Sequence, residues 1–318
     1  MNDNLKNLKS KWENLLKSDK KIRIRDAAIK IGVSESELLA TKINDEVEYL
    51  LIDNFNNFFI SLFENVNTLM FLIRNDFSVH EKTVNSDDLK IFKHGFTNSS
   101  ENNFPLINID FSNFAHCFYE SKIHAGRKLS SLQIFDCFGD SVIKIYNRDD
   151  EDMNFERSCK NYITLYKNQV ENISKSKIHQ NFEYINSVNR YFMDSKLTLK
   201  EQKISNDFLR KVFDLVSKNN FPVQIHVRGN NCIQYHRDII KNIKIFGPWF
   251  NVMDKKFNLH LMDKNIETTK LIEFSKDDKK YYSVEFFDDK SNHLLGITSL
   301  ENYYKDFSKI LNESGVLK

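Results

Sequence analysis

An internal repeat restricts the fold of this chain more than any other feature of its sequence. Three pairs of segments recur in the same order: FLIRNDFSVHE (71–81) with HVRGNNCIQYHR (226–237), FAHCFYE (114–120) with FNLHLMD (257–263), and SLQIFDCFGD (131–140) with SVEFFDDKSN (283–292). The third pair shares a serine, an aromatic-Asp end and a turn-forming tail. Three matches in one order predict a duplicated chain with two related halves.

The pattern of apolar residues agrees with this duplication. Helical spacing predicts helices over 4–18 and 24–31, and another begins at Ser34, where Ser34 and Glu37 form a capping-box pattern. Short Val, Ile and Phe runs predict antiparallel strands between 49 and 146 and again between 223 and 298, with helices over 151–218 and 300–311.

This order of elements predicts an α+β fold with two structural repeats, each a large antiparallel β-sheet flanked by helices. A chain of 318 residues is long enough for two such domains. We expect an N-terminal repeat at 1–150, a helical linker at 151–200 and a C-terminal repeat at 201–318.

Composition and charge exclude several classes of protein. The chain has 46 basic and 44 acidic residues, which are interspersed, so no basic block favours nucleic acid. The N-terminal stretch is charged throughout, and no apolar run approaches the ~18 residues that a membrane span needs. The four cysteines show no CxxC spacing, which favours reduced thiols. We therefore expect a cytoplasmic protein with no nucleic-acid partner and no membrane partner.

One segment also fits a different class of protein, the DNA-binding proteins. The run IRDAAIKIGVSESELLATK (24–42) has the helix, turn and second helix of a helix-turn-helix DNA-binding motif. Its second helix, however, begins with Glu35 and Glu37, whose charges would repel phosphates. DNA binding is therefore the less favoured alternative.

Several segments resemble those of a known bacterial family, the HemS/ChuS hemin-utilisation proteins. GPWFNVMDKKFNLHL (247–261) is similar to the family's GPWLNVLDxxFNLHL, and VRGNNCIQYH (227–236) is similar to VGNRGCIQIH. LIRNDFSVHEK (72–82) is similar to TRNxxxVHE. The resemblance implies two α+β repeats with haem in a cleft. It also implies a cytoplasmic role in haem uptake and iron utilisation, in which hemin is carried or is degraded with an unknown electron donor.

The resemblance also implies which residues face the haem. The site needs an axial iron ligand and polar or cationic groups for the propionates. In the family the axial His begins a DVHQFF segment, and an Arg in a DLR segment faces the other side of the haem. Asn108 stands here in the place of that Arg. One alignment register places His179 at the iron ligand and another places Asn189 there, and the first is favoured.

Two further histidines end matched strands of the two halves. His80 and His236 are either haem contacts, each in its own half, or parts of a strand-turn hydrogen-bond network. The remaining histidines form no pair with a metal-ligand spacing such as HxxxH, so the sequence does not predict a zinc site. Because the Arg is not kept at Asn108, a paralogue that has lost haem binding is the remaining alternative.

Overall fold

The computed structural model describes residues 3–92, 95–101, 104–124, 126–149, 153–163, 200–276 and 278–317. The helices in these ranges are α1 (Asp3–Ser18), α2 (Ile24–Ile31), α3 (Glu35–Ala40), α4 (Phe55–Asn65), α5 (Asn154–Lys160), α6 (Phe208–Lys218) and α7 (Tyr304–Ser314). The strands are β1 (Val47–Leu50), β2 (Thr68–Arg74), β3 (Ser78–Asn85), β4 (Leu89–Phe92), β5 (Gly95–Asn98), β6 (Phe104–Ile109), β7 (His116–His124), β8 (Arg127–Phe135), β9 (Ser141–Asn147), β10 (Lys200–Ile204), β11 (Pro222–Gly229), β12 (Cys232–Ile239), β13 (Ile243–Phe246), β14 (Trp249–Asp254), β15 (Phe257–Leu261), β16 (Thr268–Lys276), β17 (Lys279–Phe287) and β18 (His293–Ser299).

The chain divides into two compact units, and neither is continuous in sequence. The first unit takes the described parts of 1–72, 83–99 and 109–178, and the second takes those of 73–82, 100–108 and 179–318. Among the described residues, no helix combines the length and the apolar character that a membrane span requires.

The first unit contains an antiparallel sheet with the strand order β1-β7-β8-β9-β2. Its helix α4 lies in a region for which the sequence predicts strands. Asn54 caps this helix by accepting a hydrogen bond from the backbone N–H of Asn57 at 3.0 Å. The helix buries Phe59 and Phe63, whose rings lie edge-on to Phe96 at 4.9 and 5.3 Å. Aromatic packing outweighs the strand-like composition here.

The helix pair α2–α3 belongs to the packed interior of the first unit. Gly32 has a φ of +81°, which ends α2 and reverses the chain. The predicted capping box is present: the Ser34 hydroxyl accepts a hydrogen bond from the Glu37 backbone N–H, and the Glu37 carboxylate accepts one from the Ser34 backbone N–H. Leu38 and Leu39 are fully buried, as expected.

The start of α3 is buried as well. Glu35 is 5% exposed and its Oε1 lies 2.5 Å from the Lys144 Nζ, and the backbone N–H of Ser36 donates to the Gly139 carbonyl. A recognition helix needs this end free to enter a DNA groove. The geometry therefore removes the support for the helix-turn-helix interpretation.

The second unit repeats the strand order of the first. Its strands follow the order β10-β16-β17-β18-β11-β12-β6, and a further set follows β3-β15-β14-β13. The first five strands correspond in order to β1-β7-β8-β9-β2. Strands β16, β17 and β18 begin 152 residues after β7, β8 and β9. The predicted α+β fold with two structural repeats is therefore confirmed.

The register of the repeat corrects one of the three predicted sequence matches. The FAHCFYE segment leads into β7, whose counterpart is β16 (Thr268–Lys276), whereas FNLHL forms β15. That match was wrong because half-buried strands share the same alternation of apolar and polar residues.

Two predicted helical boundaries also differ from the structure. Residues 200–204, within the predicted helical stretch, form the exposed strand β10, which pairs with β16. The last helix begins at Tyr304, and not at Leu300. The division into repeats at 1–150 and 201–318 stays a prediction.

Replacing Glu35 tests the burial of α3. Glu35→Ala would leave the Lys144 ammonium, 10% exposed, without its carboxylate partner. Breaking a buried ion pair costs about 3–5 kcal/mol, so we expect a loss near the lower end of that range in urea unfolding. Glu46→Ala is the control, since it breaks the exposed Lys42–Glu46 pair and costs below about 1 kcal/mol. Equal stability of the two variants would contradict the assignment.

Candidate functional site

Strand β11 of the second unit has apolar side chains on one side of the sheet and polar side chains on the other. Val223, Ile225 and Val227 belong to the hydrophobic core of the unit. The alternate residues of β11 are polar, and His226 lies opposite Tyr235 on β12 and opposite Gly296 on β18. Residues that pair across antiparallel strands share one side of the sheet. We call this side the polar face; it comprises His226, Arg228, Tyr235, Glu285, His293, Gly296 and Thr298.

A histidine–carboxylate cluster lies at the centre of the polar face. The Glu285 Oε2 is 2.6 Å from the His293 Nε2 and 3.2 Å from the His226 Nε2. The two imidazole planes differ by 4° and their centroids are 5.3 Å apart. All three side chains are buried, with 2% to 3% of their surface exposed. Only strand pairing unites them, because the histidines are 67 residues apart in sequence.

A hydrogen bond to its second oxygen orients the Glu285 carboxylate. The Ser283 hydroxyl donates a hydrogen bond to the Glu285 Oε1 at 2.5 Å, and Ser283 is itself 2.6 Å from the Thr298 hydroxyl. Burial alone would raise the pKa of Glu285, but the neighbouring imidazoles outweigh it and hold the pKa well below its usual value. Burial lowers the pKa of His293 to about 4, against the opposing influence of Glu285. At neutral pH the carboxylate is ionised and His293 is neutral.

A glycine makes room for the cluster. A Cβ atom on Gly296 would overlap the His226 imidazole and the Glu285 carboxylate. The absence of a side chain on β18 at this point is therefore a condition for the approach of the three groups.

Asn108, predicted to face haem, reaches the polar face from β6. Its Nδ2 donates a hydrogen bond to the Tyr235 hydroxyl at 3.2 Å. The Tyr235 ring lies 6.1 Å from the His226 ring and edge-on to Phe104 at 5.8 Å. The Arg237 guanidinium lies over the Phe104 ring, 3.9 Å from its centroid. Asn108 thus belongs to a continuous aromatic and polar surface.

His80 and His236 lie in the interior of the second unit and not on the polar face. His236 pairs with Ile225 on the core side of β11, and its ring stacks on Phe257 with centroids 3.8 Å apart. The Lys82 Nζ is 2.9 Å from the His236 Nδ1. His80 is fully buried, 4.9 Å from the Phe257 ring. Burial lowers the pKa of both histidines well below the usual value, and the Lys82 charge acts in the same direction.

The two interior histidines are not equivalent positions of the repeat, which corrects the sequence match. The hairpin turns close between Asn75 and Ser78 and between Gly229 and Cys232, an offset of 154 residues. His80 therefore corresponds to Gln234, and Lys82 to His236. Asn75 itself is structural: its side chain donates to backbone carbonyls of Arg228, His293 and Leu294.

His179 and Asn189, the two candidates for the iron ligand, lie outside the described residues. The sequence did not predict the His226–Glu285–His293 cluster, because its members are far apart in the sequence and no local spacing marks them. The available signal was the alternation of polar and apolar residues in HVRG and SVEFFD.

Comparison with known proteins gives one consistent match. A family model described as the haemin-degrading HemS/ChuX domain matches residues 32–162 and 194–307. The hemin transport protein HemS of Yersinia enterocolitica is 22% identical over 291 residues, covering 83% of each chain. The hemin transport protein HmuS of Yersinia pestis is 21% identical over 83% of each chain.

Solved structures match the fold over nearly the whole length. The haem-binding protein PhuS of Pseudomonas aeruginosa, in its holo form, has a TM-score of 0.80 at 19% identity, covering 96% of this chain and 98% of its own. The haem-degrading enzyme ChuS of Escherichia coli O157:H7 has a TM-score of 0.80 at 16% identity, with the same coverage. At these identities the likeness shows the fold.

The buried cluster predicts a loss of stability in acid. The folded pKa of His293, about 4, lies below its unfolded value near 6.5. Below pH 6.5 the unfolded chain binds a proton that the folded chain does not, so stability falls as the pH drops toward 4. We expect His293→Gln to remove up to about 3 kcal/mol of this loss, as measured by urea unfolding at several pH values. An NMR titration placing the His293 pKa near 6.5 would contradict the prediction.

Proposed function

Because the chain belongs to the haemin-degrading HemS/ChuX family, we propose that it is a cytoplasmic haem-binding protein that carries hemin in haem uptake and iron utilisation. The family model covers both repeats, which supports a role that uses the duplicated fold as a whole. The four cysteines, which all lie within the described residues, form no disulfide, and this fits a reducing compartment. Haem degradation would require an electron donor as well, and binding is the part of the function that the polar face supports.

The observation that carries the proposal is the position of Asn108 on the polar face. The resemblance assigns this position to a group facing haem, and Asn108 lies in hydrogen-bond contact with Tyr235, beside the cluster of buried polar side chains. Asn108 therefore belongs both to the segment that the family resemblance assigns to the haem site and to the surroundings of the polar face.

The residues of the polar face fit haem in their chemistry. Haem supplies an iron with open coordination positions and two propionates, within a flat apolar ring. Beside the buried Tyr235 and Arg228, the half-buried Phe104 offers aromatic surface and the half-buried Asn108 offers a hydrogen-bonding amide. Asn108 would bind and orient polar groups of the ligand, while the Phe104 ring would exclude water from the haem ring.

The iron ligand in this proposal is His179. An imidazole nitrogen is a strong neutral ligand for haem iron, whereas the amide of Asn189 does not coordinate ferric iron usefully. Since the family Arg is replaced by Asn108, the opposite side of the haem is left to water or a weak ligand.

A hemin titration of the purified protein tests the proposal directly. We expect a Soret shift that saturates at one equivalent of hemin. Asn108→Arg should slow hemin loss to an acceptor protein by about tenfold or more, because a hydrogen bond to a charged group contributes about 1.5–3 kcal/mol. Asn108→Leu is the matched control, which removes the amide without adding charge. If the wild type shows no saturable binding, the chain is a paralogue that has lost haem.

Two further variants test the iron ligand. We expect His179→Ala to shift the Soret band and to weaken hemin binding, because the imidazole ligand is lost. Asn189→Ala, the matched change in the second alignment register, should leave both properties nearly unchanged. An unaltered spectrum of the His179→Ala complex would reject this ligand and would return His80 and His236 to consideration.

A further inference from the structure

We propose that His226, Glu285 and His293 bind one divalent transition-metal ion, of the class of Zn²⁺ or Co²⁺, at a site distinct from the haem iron ligand. Two imidazoles and one carboxylate form a donor set that suits these ions. The site lies within the second unit, and its existence does not depend on haem binding.

The three donor atoms converge to distances that suit a common ion. The ligand atoms all lie within 4.8 Å of one another, and two of the separations are 2.6 and 3.2 Å. Donors bound at about 2.0–2.1 Å to one ion are separated by roughly 3.0 Å at a right angle and by roughly 3.4 Å in a tetrahedron. The Glu285–His226 separation lies between these two values, and the Glu285–His293 separation is shorter than both, so the side chains would rotate to seat an ion.

A hydrogen-bonded cluster without an ion explains only part of the geometry. The His293 Nε2 forms a hydrogen bond with the Glu285 Oε2 at 2.6 Å, and the His226 Nε2 contacts the same oxygen at 3.2 Å. The buried His226 Nδ1 has no hydrogen-bond partner among the described residues. Leaving a buried polar atom unsatisfied costs about 1–3 kcal/mol, so the hydrogen bonds of the cluster do not account for the whole of the His226 side chain.

Hydrogen bonds from neighbouring side chains orient the Glu285 carboxylate as a metal ligand. Ser283 fixes the second carboxylate oxygen of Glu285 and is itself held by Thr298. Such outer hydrogen bonds orient metal-binding carboxylates. Gly296 allows the His226 imidazole and the Glu285 carboxylate to approach each other over β18, where a Cβ atom would overlap both groups.

The first unit has no counterpart of these donors. The positions 152 residues before Glu285 and His293 hold Gln133 and Ser141, in the equivalent strands β8 and β9. The donor set is therefore not a consequence of the repeated fold. Arg228 lies close enough to disfavour a proton on His293, and its charge opposes a second cation. We accordingly expect weaker binding than at a closed four-ligand zinc site.

A cobalt titration of the purified, hemin-free full chain tests the site. We expect visible d–d absorption that saturates at one Co²⁺ per chain and disappears on addition of Zn²⁺. His293→Ala and Glu285→Gln should each raise the dissociation constant by about 100-fold or more, while Ser283→Ala should raise it by about 10–100-fold. His260→Ala is the matched control: it removes a half-buried imidazole of the same unit that contacts Asn251, and it should leave the titration unchanged.

Thermal unfolding provides a second readout that does not depend on the spectrum. Zn²⁺ should raise the Tm of the wild type and of His260→Ala, and should leave that of His293→Ala unchanged. Absence of stoichiometric Co²⁺ binding by the folded wild type would overturn the proposal, as would a titration that His293→Ala and Ser283→Ala both leave unaltered. Since no hemin is present, neither result bears on haem binding.

Discussion

Antiparallel pairing of β11 with β18 decides what the second unit can do. It places His226 opposite Gly296, and β17 on the far side of β18 brings Glu285 to the same point. Residues 59 and 70 positions apart in sequence thus share one side of the sheet. A shift of one residue in this register would turn His226 into the hydrophobic core and expose Val227 in its place. The register is held by the core itself, because Val223, Ile225 and Val227 are fully buried.

The same alternation explains why the second unit holds two polar clusters with different properties. The core-side cluster of His80, Lys82 and His236 is packed against Phe257, and the Lys82 ammonium contacts the His236 imidazole. Burial and that charge both disfavour protonation of the histidines. The polar face has a negative charge where the core-side cluster has the positive charge of Lys82, since Glu285 is an anion between two imidazoles. The Glu285 carboxylate with its two imidazole neighbours can accept a cation. The core-side cluster already contains a cation, the Lys82 ammonium.

The sequence could predict the fold because its signals are local or repeated. Ser34 and Glu37 mark a helix start through their own backbone hydrogen bonds, and the match of 131–140 with 283–292 marks β8 and β17 as equivalent strands. Asn108 was identified through a family motif, and its role toward haem stays a prediction. The helix α4 was missed because its Phe-rich composition suits strands as well as helices. The cluster of Glu285 with two histidines could not be predicted from spacing, since its members come together only through sheet pairing.

The charge at position 108, where the family resemblance predicts an Arg, bears on the electrostatics of the polar face. A cation at position 108 would lie beside Tyr235 and near His226, where it would oppose any ion bound by the cluster. Asn108 is neutral, so it adds no positive charge beside His226. In the proposed haem complex, an Arg at position 108 would add a charged hydrogen-bond donor for the ligand, whereas the neutral Asn108 favours the approach of a small cation to Glu285. The two effects arise from a single substitution and oppose each other at the same surface, so Asn108→Arg should strengthen hemin retention while weakening Co²⁺ binding.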